Sequence, residues 1–311
     1  MSGFTDYHAH FVYGVDDGAQ TREEMYAMLD AAAADGVRHL FATSHSTPGM
    51  ERFPQEVYDR HLAFARDYCA QKGYDLKLEH GSELLYTPAA GYAAVQRQLL
   101  TLGDTGWVLL EFVPNITAKE LETALQEITG AGYRILVAHI ERYPCLAQHG
   151  LLARLHKQYR LRCQINCSAV LDSGFWQRMR LEHWVKAGLV DAVSSDAHNC
   201  TSRPTRMRKA YERLCTRVGQ TTAQKSDRTG WHRVSCIVAL TAGNENGKDA
   251  SFSQLLHEET DGEGTSFCKE VWSFCLFVQK NLRIKGQSVK LKQRTCMVNL
   301  RGCTNEDTGR R

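Results

Sequence analysis

Apolar runs of strand length recur along about the first 215 residues of this chain, and each stops on an imidazole or a carboxylate. Residues 40–43 run into Ser44-His45, and the stretch around 76–78 into Gly81-Ser82-Glu83. Residues 108–110 run into Glu111, 135–138 into His139, and 192–195 into Asp196-Ala197-His198. Runs this short and apolar have the composition of parallel strands buried on both faces. Helical stretches separate them. Thr21 with Glu24 and Thr117 with Glu120 are capping boxes, opening helices that stop at Gly36 and near Gly130. Residues 55–72, ended by Gly73, and 175–187, ended by Gly188, make two more helices. Repeated βα units imply an α/β fold with a parallel sheet, open or closed into a barrel. In either form, the active site gathers at the C-terminal ends of the strands.

His8-Ala9-His10 adds a sixth strand end. Two residues apart on a strand, both imidazoles face the same way and can serve one metal ion. Gly14-Val15-Asp16-Asp17-Gly18 follows; it suits a turn, and equally a carboxylate aimed back at a metal. Any one of these residues, taken alone, reads as an ordinary loop side chain. Together they form a donor set of His8, His10, Asp17, His45, Glu83, Glu111, His139, Asp196 and His198. The set mixes nitrogen with oxygen and contains no Cys. That favours Mn, Zn or Fe over a thiolate site, and is too nitrogen-rich for Mg or Ca alone. Nine donors exceed the needs of one ion, so two or three ions with a bridging carboxylate are expected. Clustered ions suit phosphoester hydrolysis. Arg142, three residues past His139, and Arg203, five past His198, are the candidate catalytic residues, as phosphate-binding guanidinium groups. His39, His61, His80, His149, His156 and His183 are expected to be surface or packing residues. Cys163 and Cys167 read as structural thiols, and Tyr86 and Tyr143 as candidates for the site entrance.

Charge and composition narrow the partners. The first 224 residues carry 24 basic against 25 acidic side chains, so bulk positive charge does not recruit nucleic acid. No run approaches the roughly 18 apolar residues of a membrane span, and no leader pattern opens the chain. Eleven cysteines without a CxxC pair do not make a disulfide framework, which points to the cytoplasm. The texture changes after about Gln224. All six prolines lie at or before Pro204, and the last 87 residues have poor apolar periodicity and five scattered cysteines. Two units are therefore expected: residues 1–224, and an atypical, poorly patterned tail at 225–311, read as frameshifted or disordered.

The ordered motifs resemble the bacterial protein-tyrosine phosphatases of the polymerase-and-histidinol-phosphatase (PHP) type, the CpsB/YwqE group of capsule and exopolysaccharide regulation. DYHAHFVYGVDDGAQTREE at residues 6–24 and ATSH at 42–45 carry the likeness, as do GSELLYTP at 81–88 and LLEF at 109–112. AHIERY at 138–143 and SSDAHN with the following Arg203-Pro204 complete it. The resemblance implies a distorted (β/α)7 TIM-like barrel of the PHP type, here with an atypical C-terminal extension where a closing helix is expected. It implies metal-dependent hydrolysis of phosphotyrosine by a metal-activated hydroxide at a manganese-favouring site of two or three ions, with Fe or Zn as alternatives. His8, His10, Glu83 and Asp196 would surround one ion. Glu83, Glu111 and His139 would hold a second, and Asp17, His45 and His198 a third, with Asp16 behind them. The implied substrate is a phosphotyrosine-bearing bacterial tyrosine kinase, without nucleic acid or stable membrane insertion, and the resemblance suggests a homo-oligomer. Two competing readings are another PHP-superfamily phosphoesterase, acting on histidinol phosphate or small phosphoesters, and a non-catalytic metal-binding regulatory protein.

Overall fold

A computed structural model describes residues 3–219. The tail expected at 225–311 and the end of the 1–224 unit lie outside the described residues. Strands and helices alternate from the start: β1 (Phe4–Ala9), α1 (Arg22–Asp35), β2 (Val37–Ala42), β3 (His45–Ser46) and α2 (Gln55–Lys72). β4 (Lys77–His80), β5 (Glu83–Leu85), α3 (Pro88–Val95), β6 (Trp107–Glu111), α4 (Ala118–Gly130) and β7 (Arg134–Val137) follow. α5 (Leu151–Gln158), β8 (Arg162–Asn166), α6 (Cys167–Asp172), α7 (Phe175–Lys186), β9 (Ala192–Ser194) and α8 (Met207–Val218) complete the described chain.

The expected helix ends are present for local reasons. Glu24 N donates to Thr21 Oγ1 at 3.2 Å while Thr21 N donates to Glu24 Oε2 at 3.3 Å, so two orphan amides of α1 are satisfied reciprocally. Gly36 ends that helix at φ 94°, a conformation that costs glycine nothing. α4 opens on the same device at Thr117 and Glu120, and α2 spans the expected residues. α3, α5, α6 and β8 were not anticipated. The three helices have eight, eight and six residues, too short for a helical period to stand out.

All strand pairing is parallel, in two sheets ordered β1-β2-β4 and β3-β5-β6-β7-β8-β9. The ladders thus register two sheets in a mixed α/β fold. The break between the sheets has a specific occupant. Tyr58, buried on α2, places its hydroxyl 2.8 Å from Ala42 O and 3.0 Å from Gly81 O, and accepts from Gly81 N at 2.9 Å. Its phenol stands where β2 gives way to β3 and β4 to β5, satisfying backbone groups the ladder has dropped. Past the break, His45 pairs with Glu83, side by side. Elsewhere, β1 touches the segment after β9: Ala9 bridges Ala197, His10 N donates to Ala197 O, and Asp196 N donates to His8 O, the last two at 2.8 Å.

Alternation sorts the strand residues into two cores. Leu40, Ala42, Val108, Leu110, Ile135, Val137, Cys163 and Ile165 pack towards the helices. The residues between them, Phe41, Leu109 and Leu136, join Tyr7, Leu102, Ala138 and Ala192 in a second, smaller core. Both sheets contribute to that inner core. β1 carries one extra residue between its pairings Asp6–Leu40 and Ala9–Ala42. This bulge lets His8 follow Tyr7 without passing to the helix face.

Candidate metal centre

Eight of the nine candidate donors stand at or just past a strand's C-terminal end, and Asp17 lies in the loop between β1 and α1. His8 is on β1 and His10 directly after it; His45 and Glu83 open β3 and β5; Glu111 ends β6. His139 follows β7, and Asp196 and His198 follow β9. The structure brings all nine together. Glu83 is the hub: Oε2 lies 3.1 Å from His8 Nε2, 3.2 Å from His10 Nε2 and 3.2 Å from His45 Nδ1, and Oε1 lies 2.8 Å from His139 Nε2. Glu111 faces His139 at 3.3 Å and His45 at 3.8 Å. Asp17 reaches His45 and His198, each at 3.3 Å. Donor atoms of His8, His10 and Asp196 lie within 4.8 Å of one another, as do those of His10, Asp17, His45 and His198, and those of His45, Glu83 and Glu111. His45 thus belongs to two groups where the sequence reading gave it one.

The donor chemistry fits a cation. Four of the five imidazoles anchor Nδ1 on the protein and turn Nε2 inward. His10 Nδ1 is 2.8 Å from Asp16 Oδ2, His8 Nδ1 3.4 Å from Gln164 Oε1, and His198 Nδ1 3.0 Å from Asp196 O. These partners only accept, so Nδ1 carries the proton in all three rings and Nε2 is a bare acceptor in the neutral form. His8 Nε2 and His10 Nε2 nevertheless lie 3.1 Å apart, facing Glu83 Oε2 and, at 3.4 and 3.7 Å, Asp196 Oδ1. Four buried acceptors with no donor between them are unfavourable unless a positive charge is shared among them. The same crowding governs protonation. Burial disfavours charge on His10, but hydrogen bonds to Asp16 and Glu83 outweigh it and raise its pKa to about 10. Burial opposes charge on His139 too, and Glu111 and Glu83 raise it to about 9. Burial, with His10 and Arg203 nearby, pushes His198 down to about 4, which keeps it neutral as a ligand must be. His198 Nε2 is a buried nitrogen without a hydrogen-bond partner.

The fifth element is strain. His139 and Asp196 adopt φ of 30° and 52°, a left-handed region that non-glycine residues rarely enter. Asp196 N donates to His8 O and His139 N donates to Gln164 Oε1 at 2.7 Å, so each strained residue is held by a hydrogen bond within the site.

Arg142, at the end of a single 3-10 turn, and Arg203, in the loop after β9, reach the same atom. Their NH2 groups donate to Asp196 Oδ2 at 2.6 and 2.9 Å. Both remain about 40% exposed. Two guanidinium groups on one carboxylate oxygen, open to solvent, form a fork suited to an oxyanion.

Tyr143, a candidate for the entrance that the sequence left open, has a definite place. It is fully buried, not at the entrance: its hydroxyl accepts from Phe112 N at 3.0 Å and lies 3.2 Å from His139 Nδ1. Tyr86 instead donates to Glu127 Oε2 on α4. His80 stays out of the cluster, 3.7 Å from Asp104. Sequence reasoning passed over Gln164 and Asn166, both buried on β8. Their signal was present: two amides alternating with the apolar Cys163 and Ile165 along one short run.

Known proteins resemble the chain over this same region. A family described as capsular polysaccharide synthesis, CpsB/CapC, matches residues 4–228. Tyrosine-protein phosphatase CpsB of Streptococcus pneumoniae is 31% identical over 226 residues, covering 71% of this chain and 93% of its own length. Tyrosine-protein phosphatase YwqE of Bacillus subtilis is 28% identical over 207 residues, covering 64% and 78%. Among solved structures, one described as YwqE from Bacillus subtilis and CpsB from Streptococcus pneumoniae, unique metal-dependent tyrosine phosphatases, shares the fold. Its TM-score is 0.63 at 24% identity, covering 71% of this chain and 90% of that one.

Proposed function

The chain belongs to the CpsB/CapC family of capsular polysaccharide synthesis, and from that premise we propose that it is a metal-dependent protein-tyrosine phosphatase. The observation that carries the reading is the knot of buried acceptors formed by His8 Nε2, His10 Nε2, Glu83 and Asp196, beside two exposed arginines. His8, His10 and Asp196 would hold one ion, Glu83, Glu111 and His139 a second, and Asp17, His45 and His198 a third, with manganese preferred. When bound, the ions supply Lewis acidity, making water a competent nucleophile near neutral pH and offsetting phosphoryl charge.

The chain's own residues do the rest. Arg142 and Arg203 exchange Asp196 Oδ2 for phosphoryl oxygens, which accept from the same N–H groups and fix the phosphorus over the cluster. Asp16, Gln164 and the carbonyl of Asp196 hold the Nδ1 protons of three imidazoles, so ring orientation costs no reorganisation during the reaction. The leaving group is a phenolate, whose conjugate acid has a pKa of about 10, so it departs with less proton help than an alkoxide.

The reading extends to architecture. β2 with β3, and β4 with β5, act as single kinked strands. With β1, β6, β7, β8 and β9 they make a distorted (β/α)7 ring around the inner core. The Ala9–Ala197 bridge and the shared inner cluster support that closure. Residues 1–224 are the catalytic unit, and the substrate is a phosphotyrosine-bearing bacterial tyrosine kinase in the cytoplasm. Among the described residues, no helix is long and apolar enough to cross a membrane.

The test is release of phosphate from a phosphotyrosine peptide with and without Mn2+, alongside His139→Ala, histidinol phosphate and nucleotides. Metal-dependent release from the peptide, lost in the variant, is expected. Faster release from histidinol phosphate would move the reading to another phosphoester.

A further inference from the structure

β8 supplies no candidate metal donor, yet its two inward amides touch three of them. Gln164 is fully buried and Asn166 is 1% exposed. Two residues apart on a strand, they share a face. The orientation of the first amide follows from its partners. His139 N can only donate, so the atom 2.7 Å from it is Gln164 Oε1. That oxygen also faces His8 Nδ1 at 3.4 Å. Gln164 Nε2 therefore points the other way and donates to Asn166 Oδ1 at 2.8 Å. This leaves Asn166 Nδ2 to donate to Asp196 Oδ2 at 2.7 Å. Asn166 is fixed from behind as well, since its backbone N donates to the buried Glu141 Oε1 at 3.2 Å.

A directed chain of hydrogen bonds thus runs from His139 through Gln164 and Asn166 to Asp196, with a branch to His8. His139 and Asp196 are the two ends of the chain, and both hold left-handed backbone. Each costs free energy that the surroundings must offset. β8 holds both: Gln164 Oε1 takes the His139 backbone amide, and Asn166 Nδ2 joins Arg142 and Arg203 on Asp196 Oδ2.

We propose that Gln164 and Asn166 are positioning residues: one amide pair that sets the orientation of His8, His139 and Asp196 for metal binding. This rests on the reading of the cluster as a metal centre. Gln164 Oε1 keeps the Nδ1 proton on His8, leaving Nε2 free to ligate, and holds the His139 backbone in its strained form. Asn166 Nδ2 is the buried donor among the three on Asp196 Oδ2, beside the exposed Arg142 and Arg203, so Oδ1 stays turned towards His8 and His10 when phosphate draws the arginines away. Partners behind metal ligands typically govern affinity by about 10- to 100-fold.

The experiment is calorimetric titration of the full chain with Mn2+ alone, for wild type, Gln164→Leu and Gln164→Glu, with unfolding in chelator as a check on the fold. Gln164→Leu removes the acceptor to His139 and His8; Gln164→Glu keeps it and, buried as the neutral acid, also keeps a donor to Asn166 Oδ1. Mn2+ affinity should fall about 10- to 100-fold in Gln164→Leu and stay within about threefold of wild type in Gln164→Glu. With phosphotyrosine peptide, Gln164→Leu should keep its KM and lose kcat, and the loss should shrink as Mn2+ is raised. Wild-type affinity in a folded Gln164→Leu would overturn the proposal. So would an equal loss in both variants, because then the acceptor is not what matters. Should Gln164→Leu not fold, Gln164→Glu decides: affinity held supports the role, and affinity lost overturns it. If wild type itself binds no Mn2+, the metal reading fails and this inference falls with it.

Discussion

Two buried clusters on this fold use the same side chains to opposite ends. At the N-terminal side of β9, Asp191 is 8% exposed and fully matched: Oδ1 accepts from Arg162 NH1 at 2.6 Å, and Oδ2 accepts from His156 Nε2 at 3.0 Å and Cys163 N at 2.9 Å. At the C-terminal side, Glu83 is 1% exposed and meets imidazole nitrogens, of which His8 Nε2 and His10 Nε2 carry no proton in their neutral forms. Both clusters contain histidine, carboxylate and arginine, and both are buried. The difference is the balance of donors and acceptors. Asp191 sits in a closed account of hydrogen bonds and ties α5 to β8 and β9. Glu83 sits in a surplus of acceptors that a cation would complete. Burial of charge therefore does not distinguish a site from a strut, but an unmet surplus does.

The comparison breaks if the two clusters respond alike to the same mutation. Glu83→Ala should lower phosphate release from a phosphotyrosine peptide by more than about 100-fold, because Glu83 touches four candidate donors and partners one step further out already cost 10- to 100-fold. Its chelator-treated form should unfold no more easily than wild type, since one source of acceptor repulsion is gone. Asp191→Ala should do the reverse. It strands a buried backbone amide together with the Arg162 guanidinium and the His156 ring, at a cost of about 2–4 kcal/mol in denaturant unfolding, with activity per folded molecule retained. A Glu83→Ala chain that loses stability instead of activity would erase the distinction.

A smaller effect sharpens it. Mn2+ at about 100 times its dissociation constant should raise wild-type unfolding free energy by about 2.7 kcal/mol for each site that only the folded state offers. Asp191→Ala should gain as much as wild type, and Glu83→Ala much less. Equal gains in all three would place the ion elsewhere.

The sequence shows the surplus more readily than the strut, and the reason is local. His45, Glu111, His139, Asp196 and His198 each follow an apolar run, and His8 and His10 share a face by their spacing, so local pattern places them at one end of the sheet. Helix ends are equally local: Thr21, Glu24, Gly36 and Gly73 act within a turn of their own position. What could not be read depends on distant partners. β8 went unrecognised because Gln164 and Asn166, amides in a buried strand, are stable there only beside His139 and Asp196. The break that makes β3 and β5 separate strands needs the Tyr58 hydroxyl, delivered from α2. The place of Tyr143 was open in the sequence, because its hydroxyl is committed to the distant Phe112 N below the cluster. Asp191 has no flanking motif, and its partners come from β8 and α5.

Within the cluster of candidate donors the same contrast recurs on a smaller scale, and it sets the least of the expected effects. His8, His10 and Glu83 are at most 1% exposed, whereas the Asp17 side chain is 63% exposed and His45 36%. Asp17 extends from a turn and reaches His45 and His198 at 3.3 Å without a hydrogen-bonded partner of its own behind it. Asp16, its neighbour, is anchored three times, by His10 Nδ1, by His45 N at 2.9 Å and by Gly18 N at 3.0 Å. An exposed carboxylate on a turn remains solvated when no ion is present, so it adds less to affinity than a buried one held in place. Asp17→Asn should therefore weaken Mn2+ dependence of the rate by no more than about tenfold, recoverable by raising Mn2+, whereas Asp16→Ala should cost about 10- to 100-fold through the loosened His10 ring. Titrating chelator against the loaded protein should likewise remove the ion near Asp17 first, with activity falling before the bulk of bound Mn2+ is released. Activity and bound Mn2+ falling together, or Asp17→Asn costing as much as Asp16→Ala, would mean that the exposed edge is as rigid as the buried core of the cluster.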